Sequence, residues 1–154
     1  MAQSPTVSPL EAHLGYWLRF VSNHVSHAFS RKLEARDVTV AEWVVLRELF
    51  ALGAPVAPSD RATRLGMTRG AISKLADRLI DKALLRRTSD QDDRRYQTLA
   101  LTPRGRALVP VLSALADQND AEFFGHLKPA ERAAIEHAMQ EIVRRHGLRS
   151  VPVS

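Results

Sequence analysis

The chain of 154 residues contains no cysteine. Disulfide bonds, zinc sites with cysteine ligands and redox sensing through a thiol are therefore excluded. The chain also lacks any apolar run near the roughly 20 residues that a membrane-spanning helix needs. Residues 1–8 have neither the basic start nor the apolar centre of a signal peptide. We therefore expect a cytoplasmic protein that makes no contact with a membrane.

Signatures of common catalytic sites are absent as well. The chain has no Gly-rich phosphate loop, no nucleophile elbow and no zinc-protease helix motif. An acidic run at Asp90, Asp92 and Asp93 lacks the ligand pattern and the terminal Glu of a calcium loop. We expect that the protein is not an enzyme and needs no cofactor.

Positive charge is concentrated in one part of the chain. The sequence has 22 Lys or Arg and 17 Asp or Glu, which gives a net charge of +5. Residues 61–95 hold ten of the basic and five of the acidic residues, which leaves twelve of each elsewhere. A localised basic patch is the electrostatic footprint of a nucleic-acid binder, although charged runs often form only a solvated face. The chain length and the hydrophobic fraction of 45% favour one globular domain.

The basic segment has the pattern of two helices joined by a tight turn. Ser59-Asp60 is a helix start, Gly66 a stop and Thr68 a second cap. Apolar residues of the second helix recur at helical spacing, at Ile72, Leu75, Leu79 and Ala83. Its other face carries Arg69, Gly70, Ser73, Lys74, Asp77 and Arg78. This helix-turn-helix pattern predicts that the second helix lies in a DNA major groove.

A hairpin is predicted directly after this helix. Residues 84–88 and 96–101 are strand candidates, and the polar residues 89–95 between them have the composition of a loop. A hairpin that follows a groove-reading helix is the wing of a winged helix.

At this point the chain resembles the MarR family of winged-helix transcriptional regulators. The resemblance is carried by Met67-Thr68-Arg69-Gly70-Ala71-Ile72-Ser73-Lys74-Leu75-Ala76-Asp77-Arg78-Leu79, by Asp92-Asp93-Arg94-Arg95 and by Leu99-Ala100-Leu101-Thr102-Pro103-Arg104-Gly105. It covers most of the chain, from about Leu10 to Gly147. The resemblance implies a mainly α fold with a small β-wing, in which a winged helix-turn-helix joins a helical dimerisation region from both chain ends.

The resemblance also implies how the chain is organised. Residues 1–154 are expected to form a single MarR-like domain, with dimerisation helices at 10–36 and 103–147 and a DNA-binding lobe at 40–102. The protein would be a homodimeric repressor of a pseudo-palindromic operator, released by a small aromatic or phenolic effector. Asp93 would pair with an arginine and hold the tip of the wing in shape.

The candidates for contacts with double-stranded DNA lie on the second helix and on the wing. Arg69 can fork onto a guanine edge, and Ser73 can contact either a base or a phosphate. Gly70 departs from the small hydroxyl residue often found there in the family. Arg78 is an open case, because it can equally form a surface ion pair with Asp77 or Asp81. The predicted set is Thr68, Arg69, Gly70, Ser73, Lys74, Arg78, Arg94 and Arg95.

A long helix is predicted from Leu10, with a wide apolar stripe. A polar-aromatic line runs beside that stripe at His13, Tyr16, Phe20, His24 and His27. This surplus indicates burial against a second subunit or around a small molecule, with ordinary packing inside the chain as the alternative.

In the resembled family, small aromatic acids and phenols often enter a cleft beside this helix. The candidate ligand pocket is therefore Trp17, Phe20 and His24. His24 and His27 share a helix face as metal ligands could, but no third ligand stands beside them in the sequence. A zinc or manganese site completed by tertiary contacts is the alternative to histidines that pack or line the pocket, and we predict no metal site.

Capping signals place three further helices. Thr39 caps a helix at 40–52, Thr102 followed by Pro103 starts one that ends near residue 123, and Pro129 opens a last helix that stops at Gly147.

Two classes of function remain open. The first is a dimeric, ligand-responsive DNA-binding repressor. The second is a winged helix used for protein contact without DNA binding. The concentrated positive charge favours the first class, since a protein-contact module needs no basic groove-reading face.

Overall fold

The computed structural model describes residues 5–53, 55, 65–89 and 97–149. A short 3-10 turn, Leu10–Ala12, precedes the helices. These are α1 (Leu14–Glu34), α2 (Val40–Leu52), α3 (Arg69–Asp81), α4 (Pro103–Phe124) and α5 (Pro129–His146). An antiparallel hairpin of β1 (Leu85–Ser89) and β2 (Gln97–Leu101) lies between α3 and α4. The predicted fold class, mainly α with a small β-wing, is confirmed.

One sequence prediction differs from the structure at the start of the chain, and two others fall outside the described residues. The first long helix does not begin at Leu10, because the 3-10 turn ends at Ala12 and α1 starts at Leu14. Ser59-Asp60, at the predicted start of the helix before α3, lies outside the described residues, as does the wing tip with Asp93, Arg94 and Arg95.

α2 is the central helix of the fold. The Thr39 hydroxyl accepts a hydrogen bond from the Glu42 N–H at 3.1 Å, which is the predicted cap. Gly53 ends the helix with a φ of 64°, a left-handed conformation that glycine adopts at little cost. Val45, Leu46 and Leu49 are buried against the neighbouring elements. α2 therefore sets the position of the helices that pack on it.

α3 begins and packs as its sequence pattern predicts. The Thr68 hydroxyl accepts from the Ala71 N–H at 3.1 Å, and Ile72, Leu75 and Leu79 are buried. Full burial of such side chains contributes about 1.5–3 kcal/mol each. The prediction for Ala83 was wrong. The helix ends at Asp81, and Ala83 is an exposed residue with a φ of 58° that redirects the chain into β1.

The hairpin buries one face and exposes the other. Its register pairs Leu85 with Leu101 and Arg87 with Leu99. Leu85, Leu99 and Leu101 are buried, as the alternation of side chains along a strand requires. Because alternate residues share a face, Arg87 points to the same side as Leu85, towards α3.

The main core lies where these elements meet. It contains Leu33 at the end of α1, the buried side chains of α2, α3 and the hairpin, and Val109 and Leu112 of α4. The first half of α1 and the whole of α5 stand apart from it. No residue of α5 is buried. Among the described residues, no helix is long and apolar enough to cross a membrane.

Candidate nucleic-acid interface

The exposed face of α3 gathers most of the predicted DNA-binding residues. Arg69, Gly70, Ser73, Lys74 and Arg78 are all exposed, while the apolar residues between them are buried. The face results from the 3.6-residue period of the helix, which separates the two sets. Its charged groups are cations, apart from Asp77 and, at the C-terminal end, Asp81.

Thr68 stands at the N-terminal end of this face. Its oxygen already accepts the Ala71 N–H, so the side chain is held in place by the helix cap. The hydroxyl proton is still available for donation, since a hydroxyl both donates and accepts. The first backbone N–H groups of a helix also attract anions such as phosphate.

Arg78 has a partner that neither sequence alternative named. Its Nε lies 3.9 Å from the Glu42 Oε1 atom, across the interface between α3 and α2. The predicted ion pair with Asp77 or Asp81 is therefore not the one observed among the described residues. The Arg78 side chain is still 55% exposed, so its outer nitrogens face solvent.

Asp77 holds the hairpin against α3. Its Oδ1 accepts a hydrogen bond from Arg87 Nη2 at 3.0 Å, a contact that the shared face of Leu85 and Arg87 makes possible. Asp77, the acidic residue that lies among the cations of this face, is thus paired with a cation from β1. The result is a fixed orientation between α3 and the first strand of the hairpin.

A cluster of four charged residues joins α3 to α2 and to the end of α1. We call Glu42, Lys82, Arg78 and Asp37 the Glu42 cluster. The Glu42 carboxylate is 1% exposed and accepts a hydrogen bond from Lys82 Nζ at 2.9 Å. The same ammonium donates to the Asp37 carbonyl at 2.7 Å. Lys82 is the C-cap residue of α3, so the cluster anchors the end of that helix.

Sequence reasoning missed the Glu42 cluster, although one signal was present. Thr39 and Glu42 have the Thr-x-x-Glu spacing of a capping box, in which the carboxylate turns back to the N-cap N–H. In the structure the Glu42 carboxylate contacts Lys82 instead. Glu42 stands at helical spacing with the apolar residues Val45, Leu46 and Leu49, and an acidic residue in such a row was the available sign that a cation would be near.

A second polar network links α1 to α4. Lys32 Nζ donates to Asn119 Oδ1 at 3.1 Å and to Glu122 Oε2 at 2.9 Å. The buried Asn119 amide in turn donates to the Val25 carbonyl at 3.2 Å. The hydrogen bond from Lys32 lowers the pKa of the Glu122 carboxyl below its usual value.

The predicted pocket residues lie on the first half of α1. The Phe20 and His24 rings stack with centroids 5.1 Å apart, and Trp17 contacts Tyr16 edge to face at 5.2 Å. The Trp17 indole N–H donates to the Glu11 carbonyl at 2.9 Å. Trp17 and Phe20 are about half exposed, so these rings form an open aromatic surface and not the wall of a closed cavity. Within the part of the chain that the structure describes, no group of three or more His, Asp or Glu residues forms a metal site.

A helix-turn-helix pattern followed by a hairpin defines the winged-helix class of fold, and three solved structures share it over most of the chain. BpsR of Bordetella bronchiseptica is 27% identical, with a TM-score of 0.73 over 89% of this chain and 97% of BpsR. A mutant of E. coli MarR bound to operator DNA is 24% identical, with a TM-score of 0.72 over 84% of this chain and 93% of that one. The organohalide-sensing regulator RdhR-CbdbA1625 in its 2,4-dichlorophenol-bound form is 17% identical, with a TM-score of 0.78 over 93% of this chain and 86% of that one.

The particular family follows from the sequence match. Residues 36–95 match the model of the MarR family, and these residues include α2, α3 and β1. The resemblance inferred from the sequence is confirmed: this segment matches the MarR family, and the chain has the fold of the solved MarR-family structures.

Proposed function

We propose that this protein is a sequence-specific, DNA-binding transcriptional regulator and not an enzyme. More specifically, we propose a cytoplasmic homodimeric repressor that binds a pseudo-palindromic operator and leaves it when a small aromatic ligand binds. The observation that carries the proposal is the exposed face of α3, where Arg69, Lys74 and Arg78 project beside a hairpin that Arg87 fixes in place. We therefore call α3 the recognition helix.

The predicted DNA contacts follow from this arrangement. Arg69 and Ser73 lie one turn apart on the recognition helix, as do Gly70 and Lys74. Residues at this spacing can follow a major groove, where Arg reads guanine and Ser contacts base or phosphate. We assign phosphate contacts to Thr68, Lys74 and Arg78. Arg94 and Arg95 keep their predicted role at the wing, with Asp93 shaping it.

A homodimer is proposed because the two ends of the chain expose apolar side chains that a single copy does not cover. On the N-terminal side these are Leu10, Leu14, Trp17, Leu18, Phe20 and Val21. On α5 they are Ile135, Met139, Ile142 and Val143, each about half exposed. Large contiguous apolar surface of this kind marks a protein interface. We keep 10–36 and 103–147 as the dimerisation helices and 40–102 as the DNA-binding lobe.

A winged helix that binds only another protein is the alternative function. It accounts for the fold but gives no reason for a recognition helix with cations at Arg69, Lys74 and Arg78. The dependence of binding on salt separates the two, because contacts with phosphates release counterions from DNA.

Selection from a randomised duplex library tests the proposal, and Arg69→Ala tests the groove assignment. We expect the wild-type protein to enrich a pseudo-palindromic duplex. Arg69→Ala should then lose about 1–3 kcal/mol of discrimination between that duplex and a shuffled one, because a base contact is removed. The measurement is the ratio of the two dissociation constants by fluorescence anisotropy at fixed salt.

Arg94→Ala and Arg95→Ala are the comparison variants for Arg69→Ala. Each removes a charge at the wing, so binding to both duplexes should weaken together and the salt slope should fall by about one unit per lost phosphate contact. A wild-type protein that enriches no duplex would sink the proposed function. Unchanged discrimination in Arg69→Ala would mean that the recognition helix does not read bases there.

The effector part of the proposal is supported by the aromatic surface on α1 and by relatives that respond to aromatic compounds. The BpsR work concerns regulation of DNA binding by 6-hydroxynicotinic acid, and RdhR-CbdbA1625 was solved with 2,4-dichlorophenol. In this chain, Trp17 and Phe20 offer aromatic walls, and His24 offers a polar group for a carboxylate or a phenol. The competing role for these rings is packing in the dimer interface.

We expect salicylate, 6-hydroxynicotinate or 2,4-dichlorophenol to weaken binding to the selected duplex. For a tenfold loss of affinity for the duplex, the ligand must bind the DNA-free conformation of the protein more tightly than the DNA-bound one by about 1.4 kcal/mol. Titrations should follow duplex anisotropy and Trp fluorescence together. Trp17→Phe identifies the reporter, because Trp43 emits as well but packs against Phe29. If Trp17→Phe and His24→Ala leave the response unchanged, the pocket lies elsewhere.

A further inference from the structure

We propose that Glu42 is a positioning residue for DNA binding. Through Lys82 and Arg78 it holds the recognition helix at a defined place relative to α2 and to the end of α1. The inference rests on the proposed function, since it concerns how the DNA-reading helix is held. It assigns a role to a buried carboxylate that touches no part of the exposed face.

The Glu42 carboxylate lies between two cations of the recognition helix. One carboxylate oxygen accepts from Lys82 Nζ at 2.9 Å, and the other lies 3.9 Å from Arg78 Nε. Glu42 and Asn119 are the buried residues with polar or charged side chains among those the structure describes. A single carboxylate therefore neutralises two cations that lie one turn apart on the recognition helix.

The Lys82 ammonium contacts residues of two other parts of the fold. Besides Glu42, it contacts the Asp37 carbonyl at 2.7 Å and the Asp37 carboxylate at 3.7 Å. Asp37 follows α1 and has a φ of 57°, so it forms the corner that turns the chain towards α2. One ammonium thus ties together the end of α1, the first turn of α2 and the C-cap of the recognition helix.

The buried Glu42 carboxylate is costly for the stability of the fold. Removing a carboxylate from water costs several kcal/mol, and a buried ion pair is often no more stable than an apolar pair of the same size. Val45, Leu46 and Leu49 show that α2 can fill this core with apolar side chains. Stability alone therefore gives little reason for Glu42. A hydrogen bond between charged groups has a preferred direction and length, which apolar contacts lack.

The Glu42 cluster also affects the spacing of the two recognition helices in the proposed dimer. In a symmetric dimer, the spacing between two recognition helices depends on how each one is mounted on its own dimerisation helix. The Glu42 cluster forms part of that mount, since Asp37 lies in the corner that follows α1 and Lys82 is the C-cap of α3. Loss of the cluster should relax the choice of half-site spacing.

The test uses two substitutions of opposite charge, Glu42→Gln and Lys82→Gln. The probes are the duplex selected by the wild-type protein, a shuffled duplex, and duplexes with one or two base pairs inserted between the half-sites. We expect both variants to lose discrimination between selected and shuffled duplexes by about tenfold, or about 1.4 kcal/mol. We also expect both to tolerate the inserted base pairs better than the wild-type protein does.

If the two substitutions acted only through the net charge of the protein, they would change binding to the shuffled duplex in opposite directions. Glu42→Gln adds a net positive charge and should tighten binding to the shuffled duplex, whereas Lys82→Gln should weaken it. Asp81→Asn is the matched control for Glu42→Gln. It makes the same change in charge at the end of the recognition helix, where Asp81 is exposed and forms no ion pair with another described residue. This control should keep the wild-type discrimination and spacing preference.

Circular dichroism must show folded protein at the assay temperature, because a loss of folded fraction lowers binding to all duplexes by one factor and leaves their ratio unchanged. If Glu42→Gln does not fold, Lys82→Gln carries the test, since the Lys82 side chain is 26% exposed. Folded variants with wild-type discrimination and spacing overturn the inference and leave the proposed function standing. A wild-type protein without sequence preference removes both.

Discussion

Gly105→Ala should strongly destabilise this protein. A Cβ atom at position 105 would overlap with the Leu84 carbonyl oxygen. That oxygen also accepts the Thr102 N–H at 3.1 Å, and the Thr102 hydroxyl donates to the Ala83 carbonyl at 2.7 Å. The backbone at Leu84 is thus held by its own hydrogen bonds and cannot move away freely.

The expected cost follows from overpacking against backbone. Added atoms in a packed region cost about 1–3 kcal/mol when side chains can yield, and backbone yields less. We expect a loss of about 3 kcal/mol or more in the free energy of unfolding. For a chain of this length that corresponds to a fall of roughly 6–12 °C in Tm. Thermal melts at one fixed protomer concentration would measure it, because the stability of a dimer depends on concentration.

Gly70→Ala is the matched control. Gly70 is also a helical glycine, but an added Cβ meets nothing within 4 Å. Alanine should therefore stabilise α3 by up to about 1 kcal/mol through its higher helix propensity. Equal losses in the two variants would show that the contact with Leu84 is not the cause. The comparison also explains a motif, since the Thr102-Pro103-Arg104-Gly105 sequence has its glycine where the first turn of α4 meets Leu84.

The local structure was predictable because each cue concerns neighbouring residues. Thr39, Thr68 and Thr102 were predicted as caps, and each accepts the expected backbone hydrogen bond. Gly53 and Gly147 end helices in the left-handed conformation. Ala83 defeated the pattern, because an alanine at helical spacing gives no sign that the helix has ended two residues earlier.

The long-range polar contacts were not predictable in the same way. Glu42 meets Lys82 across 40 positions of sequence, and Lys32 meets Asn119 across 87. No local pattern pairs such residues, since the fold must form before they are near each other. For Arg78 the nearby carboxylates looked like better partners than Glu42. The exposed face of α3 was easier to predict, because which side chains are exposed depends only on the helical period within 68–78.

The proposed dimer face lies between these two cases in how well it could be predicted, because the sequence pattern shows an apolar surface but not what covers it. We expect Ile142→Asp to dissociate the dimer. Ile142 is 47% exposed and shares a face of α5 with Ile135 and Met139. Symmetry would place a new carboxylate in the interface on both subunits, and each buried charge without a partner costs several kcal/mol. A loss of about 4 kcal/mol raises the dimer dissociation constant roughly a thousandfold.

Light scattering at micromolar concentration should find wild-type dimer and Ile142→Asp monomer. Binding to the selected pseudo-palindrome should weaken by at least about a hundredfold, because a monomer loses the effective concentration that links two half-sites. Ala133→Asp is the control: it adds the same charge to α5 on the face opposite Ile142, where Ala133 is exposed. Ala133→Asp should stay dimeric and bind the selected duplex. A wild-type monomer, or an Ile142→Asp dimer with full DNA binding, would contradict the assignment of α5 to the interface.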